Sequence, residues 1–159
     1  MSKKSAGIIV YRKQTNALEV FIAHLGGPYW EKKDYRAWSF PKGEFADDEN
    51  PFDAALREFQ EETGQSIQGN FVELTPNRNP SGKLVYAWAV EGEVDEKKIK
   101  SNLFELEWPS GSGNVQKFPE IDRGAWFNIA EAKKRVHKGL VPIFDELEMK
   151  VGKLQGELF

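Results

Sequence analysis

The stretch GEFADDENPFDAALREFQEETG, residues 43–64, decides the fold of this chain. Its centre predicts a helix, because Asn50 is a good N-cap residue and Pro51 suits the first helical position. Gly64 suits the C-terminal end of that helix. At about 100° per residue, five mostly apolar side chains fall on one face of the helix. These residues are Phe52, Ala55, Leu56, Phe59 and Thr63. One face is therefore expected to pack against a core, which leaves the other face for charged groups.

The other face carries three carboxylates on one helical turn, those of Glu58, Glu61 and Glu62. Like charges at this spacing repel each other, so the cluster costs helix stability unless something neutralises it. A hard divalent cation does so, because Mg²⁺ prefers oxygen ligands and a few retained waters. Arg57 borders the cluster and can reach Glu61 at i+4. Taken alone, such a charge run is more commonly a solvated acidic helix face.

The order and spacing of these residues resemble the box of the Nudix hydrolases, G-x5-E-x7-R-E-U-x-E-E-x-G-U, where U is a bulky apolar residue. Gly43, Glu49 and residues 57–64 occupy the fixed positions. One position departs, since Gln65 stands where an apolar residue is expected and Ile67 follows two residues later. The likeness covers roughly residues 5–148. Outside the box it includes AGIIV at 6–10, SFPKG at 39–43 and AWF at 125–127.

This resemblance implies an α/β (α+β) fold, the Nudix α/β/α sandwich around a mixed β-sheet. It also implies a bound Mg²⁺ ion, with Mn²⁺ as a possible substitute. The implied metal ligands are Glu58, Glu61, Glu62 and the backbone carbonyl of Lys42. Arg57 would orient one carboxylate by a salt bridge, and Glu49 would support the loop. The remaining motif positions are Gly43 and Gly64.

The family's reaction is attack of water on one phosphorus of a nucleoside diphosphate that is linked to another moiety. A carboxylate in or beyond the box acts as the general base in different members. Here Glu58 and Glu61 are candidates within the box. Glu120, in the loop before the last strand, is a candidate for a base or an extra metal ligand, and its alternative is a solvent-facing loop charge. Arg57 is counted with these catalytic residues, because its salt bridge would orient one of the carboxylates.

Residues 26–38 predict a surface loop whose aromatic and basic side chains suit a nucleotide. Aromatic rings stack on bases, and cationic groups bind phosphates. The candidates are Tyr29, Trp30, Lys32, Lys33 and Arg36. Core packing and a solvated loop are the alternative interpretations. Pro80, sixteen residues after Gly64, is a competing cue, because ADP-ribose hydrolases of the family often carry a proline near that distance. A lone proline is usually a turn former.

Two runs rich in β-branched and aromatic residues, 5–12 and 18–24, predict a hairpin with its turn at Lys13 to Ala17. Residues 110–113 predict a flexible break, and no element is assigned after Met149. Further strands are predicted at residues 71–74, 84–90 and 124–127. Helices are predicted from Asn128, with Glu131 as its capping-box partner, and from Pro142.

The chain has 159 residues, with 22 Lys and Arg against 25 Asp and Glu, and a formal charge of −3. This balance argues against a generally basic nucleic-acid binder, so the expected partner is a small nucleotide. The absence of cysteine excludes disulfides and thiolate metal sites. No apolar run is long enough for a membrane span, and no signal peptide is visible. A single cytoplasmic domain, 1–159, with no membrane partner is therefore expected, and the sequence does not indicate an oligomeric state.

The function that the residues favour is Mg²⁺-dependent hydrolysis of a nucleoside or dinucleoside polyphosphate. One alternative is a pyrophosphatase acting on ADP-ribose or a nucleotide sugar. Another is a nucleotide-binding module without turnover. The latter is less favoured, because Nudix-like regulators normally lose box glutamates and this chain keeps all four.

Overall fold

The computed structural model describes residues 3–14 and 17–152, which form ten β-strands and three α-helices. The strands are β1 (Lys4–Gln14), β2 (Ala17–Leu25), β3 (Trp38–Ser39), β4 (Lys42–Glu44), β5 (Phe71–Glu73), β6 (Asn77–Arg78), β7 (Leu84–Glu91), β8 (Leu103–Glu107), β9 (Val115–Pro119) and β10 (Ile121–Asn128). The helices are α1 (Pro51–Thr63), α2 (Ile129–Arg135) and α3 (Val141–Leu147). Shorter helical turns lie at Glu96–Lys98, Lys138–Leu140 and Glu148–Gly152. In this part of the chain no helix has the length and apolar character needed to cross a membrane.

The main sheet has eight strands, and its central path runs β10-β2-β1-β7-β5. β1 and β7 are parallel, whereas the other neighbouring pairs are antiparallel, so the sheet is mixed. β8 and β9 form a separate two-stranded antiparallel ribbon. This arrangement confirms the predicted α/β (α+β) fold class with a mixed sheet.

Alternate residues of β1 face opposite sides of the sheet, as the period of two in a strand requires. Ile8 and Val10 lie in one apolar cluster with Phe59 of α1. Ile9 lies in a second cluster with Phe144 of α3 and with residues of α2. The sheet is therefore covered by α1 on one face and by α2 and α3 on the other, which makes three layers.

The two central strands β1 and β2 separate along their length. They pair with each other through residues 11–14 of β1, near the hairpin turn. Further along, residues 5–7 of β1 pair with β4, and residues 23–24 of β2 pair with β3. The chain from β3 to β4 therefore lies between the separated strands, and it delivers the start of the Nudix-like box to the middle of the sheet.

Gly7 permits this insertion. The Ile8 amide donates to the Pro41 carbonyl at 3.1 Å, which holds the inserted chain against β1. A Cβ atom at Gly7 would lie 2.3 Å from the Pro41 carbonyl oxygen, which is closer than a carbon and an oxygen can approach. Glycine is therefore the residue type that allows the two backbones to come this close.

The ends of α1 match the prediction. The Asn50 side chain accepts hydrogen bonds from the amides of Phe52 and Asp53 at 2.9 and 3.2 Å. Gly64 ends the helix with a φ of 74°, and its amide donates to the Gln60 carbonyl at 2.8 Å. The helix boundaries are therefore set by local capping groups, as the sequence indicates.

Gln65, the residue that departs from the box, has a polar partner. Its side-chain amide donates to the Asp95 carbonyl at 2.9 Å, and its oxygen accepts from the Asp95 amide at 3.0 Å. Ile67 packs against the apolar cluster on the α1 face of the sheet. Gln65 thus fastens the end of the box to the segment after β7, while Ile67 provides an apolar contact nearby.

The later helices begin where they are predicted to begin. Asn128 caps α2 by accepting from the Glu131 amide at 2.8 Å, and Pro142 lies in the first turn of α3. The capping box is only half formed, because the Glu131 carboxylate accepts from Arg135 at 2.8 Å.

Several strands differ from the prediction. β10 begins at Ile121, earlier than the predicted Gly124, because it is an edge strand whose polar Asp122 and Arg123 remain exposed. Residues 110–113, predicted as a flexible break, form part of the turn between β8 and β9. The turn centre at residues 15–16 and the tail from residue 153 lie outside the described residues.

Candidate active site

A cleft of about 430 Å³ lies beside the inserted chain, where β1 and β2 have separated. The lining residues that the sequence singles out come from three parts of the chain. The box helix contributes Glu58, Glu61 and Glu62, and β4 contributes Lys42. Glu120 reaches the same cleft from the short connection between β9 and β10. The structure therefore brings together the carboxylates that the sequence singles out within and beyond the box.

Arg57 ties the outer carboxylates of the cleft together. Its Nε and Nη2 atoms donate to the two oxygens of Glu49 at 2.9 and 3.0 Å, which is a bidentate ion pair. Its Nη1 donates to Glu58 at 3.0 Å and to Glu61 at 3.2 Å. The hydrogen bond from Arg57 lowers the pKa of Glu49. One guanidinium thus fixes the box loop and two carboxylates of the helix.

Glu58 and Glu62 are buried, with 8% and 9% of their surface exposed. Burial and the nearby charge of Glu58 together raise the pKa of Glu62 to about 8, although Lys42 opposes the shift. Burial also raises the pKa of Glu58, with repulsion from Glu61 acting in the same direction. Both carboxylates therefore favour a bound proton or a cation over an uncompensated negative charge.

The backbone around the box glycine shapes the place for these carboxylates. A Cβ atom at Gly43 would lie 2.1 Å from the carboxylate carbon of Glu58, so a side chain there would displace it. The Lys42 amide donates to a Glu62 oxygen at 3.3 Å. Gly43 and Lys42 therefore hold the inserted chain directly against the acidic face of α1.

The donor atoms of this cleft fit a hard divalent cation, because they are carboxylate and carbonyl oxygens with excess negative charge. Within residues 3–14 and 17–152, no three acidic or histidine side chains are already arranged around one ion position. Arg57 holds Glu61 at the outer edge, next to the more deeply buried Glu58 and Glu62. Binding of an ion would therefore include some adjustment of these side chains.

Two lysines line the cleft together with the carboxylates. Lys42 is half-buried, and burial lowers its pKa, with repulsion from Lys83 acting in the same direction. Lys83 forms an ion pair with Glu44, with 3.1 Å between Nζ and Oε2. Lys83 was not singled out by the sequence, although a charged residue immediately before the strand Leu84–Glu91 was a usable signal. The cleft therefore has an acidic wall and a basic wall.

Glu120 is held in place by its backbone. Its amide donates to the Asn102 carbonyl at 2.9 Å, and its carbonyl accepts from the Gly26 amide at 2.9 Å. The Asn102 amide in turn donates to the Glu61 carbonyl at 2.8 Å. Burial raises the pKa of the Glu120 carboxyl group. In the described part of the chain this carboxylate has neither an ion pair nor a side-chain hydrogen bond.

A second cavity of about 500 Å³ adjoins the cleft. The two share four lining residues, which are Leu25, Ser39, Lys42 and Lys83. The walls of the second cavity are mainly aromatic and apolar. They include Trp30, Trp38, Pro80, His137 and Leu140. We call it the aromatic cavity, and its position beyond the basic wall makes the whole site a continuous groove.

Among the five substrate-binding residues predicted in the 26–38 loop, Trp30 lines the aromatic cavity. Lys33 lies over the Trp30 ring, with its Nζ 5.2 Å from the ring centre, but it lines neither cavity. Tyr29, Lys32 and Arg36 are absent from the linings of both cavities. Lys32 is exposed to solvent.

Nonlocal contacts explain the positions of Tyr29 and Arg36. Tyr29 packs edge to face on Trp108 of the ribbon, with 5.1 Å between ring centres. Arg36 donates to the carbonyls of Lys133 and Val136 at 2.8 and 3.1 Å. Its guanidinium therefore satisfies carbonyl groups at the end of α2, and its φ of 64° lies in the left-handed region.

His24 anchors the loop that carries Trp30. The buried ring lies between Asp122, 2.9 Å from Nδ1, and the Lys33 carbonyl oxygen, 2.6 Å from Nε2. Both neighbours are hydrogen-bond acceptors, so the ring is held from two sides. His24 thus links β2 to β10 and to the loop that carries Trp30.

The NUDIX domain family model matches residues 1–147, so the chain belongs to this family. The box helix, the mixed sheet and the family match together identify the chain as a Nudix hydrolase. The matched residues contain every lining residue named above.

Among curated proteins, the chain is similar to the mRNA-decapping enzyme subunit 2 of Saccharomyces cerevisiae, with 26% identity over 113 residues. The match covers 68% of this chain but only 10% of that protein. Among solved structures, a Caenorhabditis elegans Ap4A hydrolase in a binary complex has a TM-score of 0.63 and 19% identity, covering 95% of this chain and 98% of that one. The NUDIX domain of Shewanella oneidensis NrtR, complexed with ADP ribose, has a TM-score of 0.62 and 14% identity, covering 95% and 90%. At these identities the structural likenesses show the shared fold.

Replacing Glu62 tests whether the acidic wall is destabilising in the absence of a cation. With a pKa of about 8 in the folded protein, Glu62 favours folding when protonated, so its contribution falls as the pH rises from about 5 to 8. We expect Glu62→Gln to raise the Tm by about 5 °C at pH 8 in EDTA, the size of a gain of ~2 kcal/mol in a domain of this length. Thermal unfolding at pH 5 and 8 measures this, with the exposed Glu105→Gln as the control. An equal or lower Tm for Glu62→Gln at pH 8 would contradict the charge argument.

Proposed function

We propose that this chain hydrolyses a pyrophosphate bond in a nucleoside or dinucleoside polyphosphate, with Mg²⁺ as its ion and Mn²⁺ as a substitute. One observation carries the proposal: the carboxylate cleft and the aromatic cavity are joined through Lys42 and Lys83. A nucleotide has the same order of parts, an aromatic base at one end and phosphates that extend from it. A polyphosphate could therefore cross the basic wall while its base occupies the aromatic cavity.

The ion would be held by the carboxylates of Glu58, Glu61 and Glu62 and by the Lys42 carbonyl. When bound, such an ion offsets charge on phosphate oxygens and makes a bound water more acidic. Arg57 supports this set, because it holds Glu58 and Glu61 through one guanidinium nitrogen and is itself fixed by Glu49. Its role is to position the carboxylates, since its own donors are already engaged.

Glu120 is the proposed general base. Arg57 engages Glu58 and Glu61, whereas the Glu120 carboxylate lacks an ion pair within the described residues. Burial favours its protonated form, which suits a group that must accept a proton from water. In the proposed reaction Glu120 takes this proton as the water oxygen bonds to phosphorus and the bridging oxygen leaves.

The experiment that tests this function is hydrolysis of a substrate panel with and without Mg²⁺. The panel contains diadenosine tetraphosphate, NTPs and dNTPs, an oxidised purine triphosphate, ADP-ribose, UDP-glucose and a capped dinucleotide, which represents the activity named for the yeast relatives. We expect Mg²⁺-dependent cleavage with the highest kcat/KM for a polyphosphate, and loss of most turnover in Glu62→Gln. Full turnover in EDTA would overturn the metal assignment, and nucleotide binding without any turnover would favour the non-enzymatic module.

ADP-ribose is the second candidate, and the position of Pro80 supports it. This proline lines the aromatic cavity, so it can contact whatever lies there. It also lies within a turn closed by the Gly82 amide and the Asn79 carbonyl at 2.9 Å, which is sufficient reason for a proline. A preference for ADP-ribose in the panel would decide for this candidate. A cytoplasmic location remains a prediction under either substrate.

Glu120→Gln tests the general base. The change keeps the shape of the side chain but removes its ability to accept a proton. We expect kcat to fall by roughly 10²–10⁴, while the affinity for Mn²⁺, measured by titration followed by electron paramagnetic resonance, stays close to the wild-type value. Glu105→Gln, at an exposed position of the ribbon, is the matched control. A kcat close to that of the wild type would show that a box glutamate is the base.

Trp30→Ala tests the proposed position of the nucleotide base in the aromatic cavity. Stacking of a base on an aromatic side chain is worth about 1–3 kcal/mol, so we expect KM to rise roughly tenfold or more with a smaller change in kcat. Steady-state kinetics on the best polyphosphate measures both. Trp30→Phe should recover part of the affinity, and Tyr35→Ala, at an exposed loop position, should leave KM unchanged. An unchanged KM in Trp30→Ala would show that the nucleotide base binds elsewhere.

A further inference from the structure

The Asn79 side chain lines the aromatic cavity from the turn between β6 and β7. Its orientation is fixed, because the Lys83 amide donates to the side-chain oxygen at 3.0 Å and the Ser81 hydroxyl donates to it at 2.6 Å. A backbone amide can only donate, so the atom that faces it is the oxygen and not the nitrogen. Among the described residues, the Asn79 side-chain NH₂ group has no hydrogen-bond partner. It is therefore a donor available to a ligand in the cavity.

His137 lines the same cavity from the segment after α2. Its Nδ1 accepts a hydrogen bond from the Gly139 amide at 3.2 Å. A ring nitrogen that accepts carries no proton, so the proton of the neutral ring is on Nε2, which is then a donor. Nε2 has no hydrogen-bond partner in the part of the chain that the structure describes. The contact at one ring nitrogen thus assigns the role of the other.

Gly139 keeps these two side chains close together. A Cβ atom there would lie 3.0 Å from the Asn79 Cβ and 3.4 Å from the His137 Nδ1, so the two side chains flank this glycine. The Gly139 carbonyl also accepts from the Asn77 side chain at 2.8 Å, which fastens the segment after α2 to β6. The cavity therefore offers two neighbouring donors on a connected framework.

A nucleotide base that stacks on Trp30 can meet these two donors with its edge. Trp30 lines the same cavity, and an aromatic side chain stacks on any base. Hydrogen bonds to the edge decide which base is bound, and two neighbouring donors select two neighbouring acceptors. Guanine has such a pair in N7 and O6, whereas adenine places its N6 amino group, a donor, beside N7. Adenine would therefore leave one donor of the cavity unpaired, which costs affinity.

The size of the cavity favours a purine over a pyrimidine. Cytosine also has two neighbouring acceptors, N3 and O2, but its single ring covers less of an aromatic side chain than the double ring of a purine does. The aromatic cavity, at about 500 Å³, has room for the larger ring system. Size and acceptor pattern together therefore favour a purine with an oxygen at position 6.

We propose that Asn79 and His137 select a 6-oxopurine base, guanine or hypoxanthine, by donating to its N7 and O6 atoms while the ring stacks on Trp30. This inference rests on the proposed function and narrows its substrate class to polyphosphates of guanosine or inosine. Neither Asn79 nor His137 lines the carboxylate cleft, so both determine specificity and take no part in the chemical step.

Mononucleotides test this inference directly, because they have no pyrophosphate bond to cleave. NMR titration of isotope-labelled wild-type protein measures the Kd of GMP, IMP, AMP, CMP and 7-deaza-GMP, in which a CH group replaces N7. We expect equal affinity for GMP and IMP, because both keep N7 and O6. AMP and 7-deaza-GMP should bind roughly tenfold more weakly, since each leaves a donor unpaired. Equal affinity for GMP and AMP, or tighter binding of CMP, would overturn the inference.

His137→Asn and Asn79→Asp each remove one donor and keep the local hydrogen bonds. The new asparagine oxygen can accept from the Gly139 amide, and the new aspartate oxygen can accept from the Lys83 amide. We expect each variant to weaken GMP binding roughly tenfold. The preference for GMP over 7-deaza-GMP should disappear in the variant that loses the donor to N7 and persist in the other. A preference that persists in both variants would overturn the assignment.

Two controls separate recognition of the base from a structural effect. Asn114→Asp, at an exposed position in the turn between β8 and β9, adds the same charge outside the cavity and should leave every Kd unchanged. The Tm of His137→Asn and of Asn79→Asp should stay close to the wild-type value. A lower Tm together with equal losses of affinity for GMP, AMP and 7-deaza-GMP would show a structural role and would overturn the inference.

The inference and the proposed function can fail separately. If wild-type protein cleaves no polyphosphate but its preference for GMP still depends on Asn79 and His137, the base site stands and the proposed reaction does not. If polyphosphates are cleaved but GTP and ATP have equal kcat/KM in wild type and in both variants, the reaction stands and the base selection is wrong.

Discussion

The separation of β1 and β2 is the constraint on which the site depends. It opens the middle of the sheet to the chain from β3 to β4, and Gly7 allows that chain to approach β1 within hydrogen-bonding distance. Gly43 then lets the same chain lie against the Glu58 carboxylate. Two glycines on adjacent strands thus bring the inserted backbone and the acidic helix face together, and the cleft forms beside them.

Charge is distributed unevenly within this cleft. On one wall, burial and mutual repulsion raise the pKa values of Glu58 and Glu62. On the other, burial and the neighbouring Lys83 lower the pKa of Lys42. Like charges therefore repel each other on each wall. A bound cation together with a phosphate chain would reduce the repulsion on both walls. Arg57 offsets part of the negative charge of Glu58 and Glu61, while Glu49 compensates part of its own positive charge.

Local sequence signals were sufficient for the elements that local contacts form. The caps of α1, the ion pair from Arg57 to Glu61 and the starts of α2 and α3 involve residues a few positions apart, and all are present. The loop residues were harder to predict, since the positions of Tyr29 and Arg36 depend on Trp108 and α2, which lie far along the chain. Composition identifies such side chains as suitable for a nucleotide, but only tertiary contacts show which of them are already engaged.

The position of Glu120 shows how a distant segment becomes part of a site built by the box. Backbone hydrogen bonds connect the Glu61 carbonyl to Asn102 and Asn102 to Glu120, while Gly26 of the substrate loop holds the Glu120 carbonyl. The residues that flank the β8–β9 ribbon therefore connect the acidic helix to the candidate general base and to the loop that carries Trp30. Because these links are made by the main chain, side-chain changes in the ribbon can alter its surface while the carboxylate keeps its place beside the cleft. The segments that flank the ribbon thus connect the acidic wall, through main-chain hydrogen bonds, to the loop that borders the aromatic cavity.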